Sequence, residues 1–262
     1  LGALIKDISE VSTFEANYDF EDKISFANLI VGGLYRSFNL DTDGTLYTDY
    51  DDPIEYNEFG LFAQMQKDLF DDNVSLTASM RYDKQSVMED ANVTPRMGLL
   101  FKLSDKSNVR VSAQLGFRNP TNQDKFIGLF NGQELLLGTT EDNIDRFNQQ
   151  LGSTDAFGFP LDFNWTGDWA FNNAFNKSAF DSSGTLLAEE LDYVEAEKVT
   201  SYDIGYRYNT KNFTLDVNAY YSQYENFIGT NSVYVPAAEV VGLFMSPQGG
   251  GLTADQAIAT TM

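Results

Sequence analysis

Six carboxylates fall close together in Asp41-Thr42-Asp43-Gly44, followed by Asp49, Asp51, Asp52 and Glu55. Carboxylates are calcium ligands, but calcium loops supply them at fixed spacing around an obligatory glycine. Here no third ligand precedes Gly44 and no bidentate glutamate follows at the right distance, so the run reads as a solvated acidic surface loop. The chain has no His and no Cys. That removes imidazole acid–base catalysis, thiol chemistry, disulfides and most zinc and haem sites. No carboxylate pair stands out for hydrolysis. Gly249-Gly250-Gly251 lacks the strand–helix setting of a phosphate loop, and Asn92-Val93-Thr94 and Asn212-Phe213-Thr214 are bare sequons. No enzyme, no metal site and no cofactor is expected.

The charge balance is 17 Lys+Arg against 39 Asp+Glu, a net −22. Nucleic acid is excluded as a partner, because phosphate binding needs a basic footprint. Disorder is excluded too: hydrophobic residues make up 42% and aromatics 14% of the chain, whereas disordered acidic chains are poor in aromatics. No stretch approaches the roughly 18 consecutive apolar residues of a membrane helix. An aromatic-rich chain that is polar on average (mean hydropathy −0.31) suits a sheet with one face in lipid and one in water.

The elements that position these residues are strands of period two. In 74–84, Val74, Leu76, Ala78, Met80 and Tyr82 oppose Ser75, Thr77, Ser79, Arg81 and Asp83. The same alternation runs through 95–103, 109–118, 200–208 and 213–224, with weaker candidates at 14–20, 24–35 and 56–69. About eight strands result, each long enough to cross a bilayer at a tilt. The connections Glu21-Asp22, Asp71-Asp72-Asn73, 104–108 and 209–212 are short; 37–55, 85–93, 119–196 and 226 onward are long. Short and long alternate, as in outer-membrane barrels with short periplasmic turns and long extracellular loops. Phe14, Phe20, Tyr35, Phe38, Tyr56, Phe59, Phe70, Tyr82, Phe117, Tyr208, Phe213, Tyr221 and Tyr224, near strand ends, read as interfacial belts. The fold class is an all-β antiparallel transmembrane β-barrel in the bacterial outer membrane. Residue 1 opens in mid-pattern and the chain stops outside any strand pattern, which reads as one part of a larger barrel.

Thr94-Pro95-Arg96-Met97-Gly98-Leu99-Leu100-Phe101, a turn, Asn108-Val109-Arg110-Val111-Ser112 and then Gly116-Phe117-Arg118-Asn119-Pro120-Thr121 resemble the barrel of TonB-dependent receptors. So do Glu195-Ala196-Glu197-Lys198, Asp203-Ile204-Gly205-Tyr206 and Ala219-Tyr220-Tyr221, in that order. Ala196 stands where the family has Pro, and Asp203 where it has Glu. The long loop after Asn119-Pro120-Thr121 looks most like Bacteroidetes-type receptors. The resemblance implies that 1–262 is a fragment of a single barrel of about 22 strands, with a long extracellular loop 119–196 and a terminal loop 226–262. The plug domain and TonB box lie outside the chain. It further implies energy-coupled import of a scarce nutrient (siderophore, cobalamin, glycan or peptide) with TonB–ExbB–ExbD, engaged through the missing N-terminal part. A surface lipoprotein lid or another outer-membrane subunit is a further expected partner beside the bilayer. The alternative is a receptor-like barrel serving as a structural or docking subunit.

Parity puts Glu197, Ser201, Asp203 and Arg207 on the lumen face, together with Arg96, Arg110 and Arg118. Charges at that depth must be paired or wetted. The resemblance makes Glu197 a partner for plug arginines; the arginines read as neutralisers of lumen carboxylates. In the long loop, 157–169 with Phe163, Trp165 and Trp169 is the candidate ligand or partner surface, since flat ligands and sugars stack on such rings.

Overall fold

The computed structural model describes residues 5–21, 23–130, 134–154, 160–182 and 186–235; Phe130, Phe180 and 149–165 carry no side-chain description. Six strands come first: β1 (Glu10–Asp19), β2 (Asn28–Leu40), β3 (Ile54–Leu69), β4 (Val74–Gln85), β5 (Ala91–Ser104) and β6 (Ser107–Arg118). An excursion follows, through α1 (Asn122–Phe126), β7 (Gly128–Phe130), β8 (Leu135–Leu137), α2 (Glu141–Arg146), β9 (Asn148–Thr154), β10 (Pro160–Thr166), α3 (Gly167–Asn172), β11 (Phe175–Phe180) and β12 (Leu186–Ala188). The chain then returns with β13 (Glu197–Asn209), β14 (Thr214–Glu225) and β15 (Val233–Tyr234). The main sheet has eight strands in the order β1-β2-β3-β4-β5-β6-β13-β14, all antiparallel, and is open at β1 and β14.

Register converts the alternation of single strands into two continuous faces. Met97, Ala113, Tyr202 and Tyr221 lie side by side across β5, β6, β13 and β14, as do Leu99, Val111, Ile204 and Ala219. This apolar face stays open to its surroundings: Met97, Ile204 and Val217 are half exposed or more. The opposite face carries Arg36, Glu58, Arg81, Asp83, Arg96, Gln114, Ser201 and Asp203 in the same registration. A one-residue slip would exchange the faces of a strand, so the pattern itself fixes register.

Several sequence expectations are corrected. Strand β2 starts at Asn28, not Ile24, because Lys23 and Ile24 donate their N–H groups back to the Phe20 carbonyl (2.8 and 3.0 Å) and close a turn. Strand β5 starts at Ala91, before Pro95. Its ladder to β6 opens only at Arg96, one residue after a proline that has no N–H to give. Connection 86–90 is therefore shorter than 20–27, and loop length does not sort by parity without exception. The belt is also smaller than expected. Phe14, Tyr35 and Phe59 form one row of the apolar face. Phe38, Tyr56 and Tyr224 share the polar face with Arg36, Glu58 and Ser222, and Phe38 stacks on Tyr56 with centroids 4.3 Å apart.

A buried cluster sits at one end of the sheet. Leu40, Ile54 and Tyr56, from facing strand ends, meet Tyr47 from the β2–β3 loop and Phe126 from α1. The excursion 119–196 is thus folded rather than a bare loop. The segment after β14 joins it, because β15 pairs with β11.

Candidate functional site: the polar wall and its cap

On the polar wall, glycines let long side chains cross a neighbouring strand. Gly205 of β13 lies opposite Arg110 of β6 and Asn218 of β14. A Cβ there would fall 2.6 Å from Arg110 Nε. The arginine therefore passes over the bare backbone and donates from Nη2 to Asp216 Oδ1 at 3.0 Å and to Asn218. Gly60 of β3 does the same for β4: a Cβ would stand 2.7 Å from Asp83 Oδ1. Above it Arg81 clasps the buried Asp83 with two hydrogen bonds of 2.7 and 2.6 Å. Glu58, also buried, takes a 3.4 Å contact from Arg36. Arg118 and Glu197 pair at 2.7 Å where β6 and β13 meet the excursion. The wall is thus built of carboxylates held by arginines, the arrangement that makes buried charge tolerable.

The structure unites some predicted residues and leaves others apart. Arg110, Arg118 and Glu197 find partners on this wall. Arg96, Asp203 and Arg207 stand on the same face, and among the described residues none forms an ion pair. Phe163 and Trp165 lie in β10 opposite Leu151 and Gln149 of β9; their side chains fall outside the described residues, as do 157–159 and Gly249–Gly251. Trp169 lies in α3, where its backbone N–H is capped by Thr166 Oγ1 at 3.2 Å.

The cap over the upper wall escaped sequence reading. Its helix α1 starts with a reciprocal capping box: Thr121 and Asp124 each accept the other's backbone N–H. This Thr-x-x-Asp signature is legible in the sequence. The box aims Lys125 at the wall. Its Nζ donates to Tyr56 Oη at 2.8 Å and Gln85 Oε1 at 3.2 Å, and lies 4.0 Å from the Tyr56 ring centre. Burial pushes the Lys125 amine down to about 8, against the opposing pull of Glu58 and Asp124. A lone lysine in a polar loop gives no sequence sign of burial.

The acidic run packs under the same cap. The buried Asp49 carboxylate accepts from Thr42 Oγ1 at 2.5 Å and Gly44 N at 3.2 Å, and also from Thr42 N. Gly44, at φ 67, supplies the left-handed residue this turn needs. Asp49 therefore ties a loop together, and among the described residues no acidic group is arranged for a metal. Burial, followed by the Asp49 charge, pushes the Tyr50 phenol up to about 12. Thr48 Oγ1 donates to Asn143 Oδ1 at 2.6 Å, and Asn143 Nδ2 donates to the Gly138 carbonyl at 2.7 Å, locking this loop to α2. Beside the cap opens a cleft of about 1660 Å3, lined by Asp90, Asp124, Glu141, Glu190, Asp192 and Glu195 with Lys177 and Lys198 opposing.

A two-faced antiparallel sheet of long tilted strands, its polar face charged and capped, is the wall of an outer-membrane barrel. The family model "TonB dependent receptor-like, beta-barrel" matches residues 6–242. The chain belongs to this family. TonB-dependent receptor barrels are outer-membrane proteins of transport, not enzymes, and this chain is part of an outer-membrane barrel wall. Among solved structures it is similar to the siderophore receptor PirA from Pseudomonas aeruginosa (13% identity, TM-score 0.50), covering 82% of this chain and 31% of that one. It is also similar to a mutant of the ferric enterobactin receptor PfeA from the same organism (14% identity, TM-score 0.53), covering 83% of this chain and 27% of that one. At these identities the likeness is one of fold, and the chain spans under a third of either receptor's length. Comparison with curated proteins returns no match.

Proposed function

We propose that this barrel wall belongs to a receptor that imports a scarce nutrient across the outer membrane by TonB–ExbB–ExbD-driven movement of a plug. The observation that carries the reading is the lumen wall, where paired carboxylates and arginines sit beside Arg96, Asp203 and Arg207, which form no ion pair among the described residues. Such a wall suits contact with a removable charged partner inside the barrel. The turns 20–27, 70–73, 105–106 and 210–213 would face the periplasm, and 119–196 the exterior. Glu197, whose charge Arg118 already meets, stays a plug-contact candidate, with Arg110 and Arg118 setting the wall. Phe163, Trp165 and Trp169 are the ligand-contact candidates of the outer loop.

PirA is named as a siderophore receptor and PfeA as a ferric enterobactin receptor; siderophores, cobalamin, glycans and peptides are the classes this barrel would take. The acid-lined cleft argues for neutral or cationic cargo over polyanions. The Bacteroidetes-type lineage rests on the motif after Gly116-Phe117-Arg118. A docking subunit is the second reading, favoured by the folded excursion joined to the next loop through β11 and β15. A surface lipoprotein or other subunit would seat there.

The test uses the full-length receptor in its own cells. Cysteines placed at Lys106 and Glu141 are probed with an impermeant maleimide, and growth on candidate nutrients is followed with and without TonB. Labelling at Glu141 alone, plus TonB-dependent growth, is the expected result. Labelling at Lys106 alone would invert the topology. Correct labelling with a bound partner and no nutrient phenotype would favour the docking subunit.

A further inference from the structure

We infer that Lys125 is a release element: its buried ammonium weakens the docking of the α1–α2 cap on the lumen wall, so that the cap tightens as the medium becomes alkaline. The inference rests on reading the excursion as an extracellular loop. The cap reaches the wall through α1, and Lys125 is a buried charged group of it, 1% exposed between α1 and the β3–β4 wall. An ammonium has three protons to place. It finds Tyr56 Oη and Gln85 Oε1, and the faces of Tyr56 and Phe126 at 4.0 and 5.4 Å. Among the described residues no carboxylate makes an ion pair with it.

The charged groups around it come from each packed element. Glu58 on β3 is engaged by Arg36 of β2, Asp83 on β4 by Arg81, and Asp124 on α1 by the capping box. Among the described residues, Tyr56 is the other titratable group in direct contact. A buried cation without a carboxylate partner costs desolvation that a hydrophobe of the same shape does not. The hydrophobic contacts of Phe126 with Leu40, Ile54 and Tyr56 hold the cap down, and Lys125 opposes them.

The sign follows from proton linkage. The amine titrates near 8 when docked, and at the ordinary 10.5 when the cap is lifted into water. Below pH 8 both states carry the proton and the full cost is present. Between 8 and 10.5 only the lifted state carries it, so docking strengthens as pH rises, by up to about tenfold per pH unit.

Nitroxides at Glu55→Cys on the rim and Glu141→Cys on α2 report docking by pulsed electron resonance in the full receptor in nanodiscs. Heat-modifiable gel mobility confirms the folded barrel. Two results are expected: the short-distance population grows between pH 8 and 10.5, and Lys125→Met gives a docked population that is larger and flat with pH. Tyr56→Phe keeps the pH response if Lys125 is its source. A pH-independent parent receptor overturns the inference. So does a Lys125→Met cap that detaches, which would make the lysine a hydrogen-bonding post. The distances are read whether or not the receptor transports, so failure of the import reading leaves a separate signature in the growth and labelling assays.

Discussion

Asp83 is 1% exposed and is held by the Arg81 fork. Replacing Arg81 with Ala strands that carboxylate on the wall, at a cost of about 2 kcal/mol. Urea unfolding of the receptor followed by tryptophan fluorescence should show the loss, and Asp83→Asn in the same background should restore part of it. If Arg81→Ala unfolds at the parent's urea concentration, the clasp contributes nothing. Arg118 with Glu197 is a different kind of pair. The Arg118 side chain is 52% exposed and that of Glu197 12%. With its arginine so open to water, the pair contributes less to stability than the Arg81 clasp. The alternation in 74–84 already placed Arg81 and Asp83 on one face. Their clasp was not legible, because side chains two apart on a strand meet only when the space over the neighbouring strand is vacant, and Gly60 vacates it.

At the scale of elements, the ladder β6-β13-β14 depends on another vacancy. Gly205→Leu puts a side chain where Arg110 crosses and should sever its bonds to Asp216 and Asn218. Overpacking of this kind costs about 1–3 kcal/mol. The expected outcome is faster amide hydrogen exchange in β13 and β14 with β2–β4 unchanged; equal exchange throughout would mean that the crossing is dispensable. Strand existence was readable wherever polar and apolar residues alternate, as in β4, β6 and β13. A strand's start was misplaced where alternation is absent: both faces of 24–35 are apolar, so β2 was expected from Ile24 although hydrogen bonds to Phe20 turn that residue away. Pro95 delayed the predicted start of β5 for the same reason of locality. A proline forbids a ladder bond, but here the ladder to β6 begins beyond it.

For the whole molecule, the two faces make opposite predictions. Ile204→Lys puts a charge in the apolar band, at a cost of about 2–4 kcal/mol at mid-bilayer. Ser112→Lys, one strand away on the polar face, should be accepted. Folding of each full-length variant into lipid vesicles, scored by heat-modifiable gel mobility, tests the pair. Equal folding yields would contradict the orientation of the sheet. The cap belongs to this scale as well, since it joins segments far apart in sequence: Thr48 to Asn143 and Tyr56 to Lys125.

The sequence alone determined the eight long strands, the two faces of those that alternate, and the family, because side-chain alternation and turn chemistry are local. It also placed Arg96, Arg110, Arg118, Glu197, Asp203 and Arg207 on one wall, since parity is carried along a strand without knowledge of its neighbours. Only the tertiary structure decided which of those charges meet, that Phe38 and Tyr56 turn to the polar face, and that the long excursion folds back with Lys125 beneath it. Those outcomes depend on contacts between residues tens of positions apart. A contact of that kind is fixed by the space neighbouring strands leave open, and no local pattern records that space.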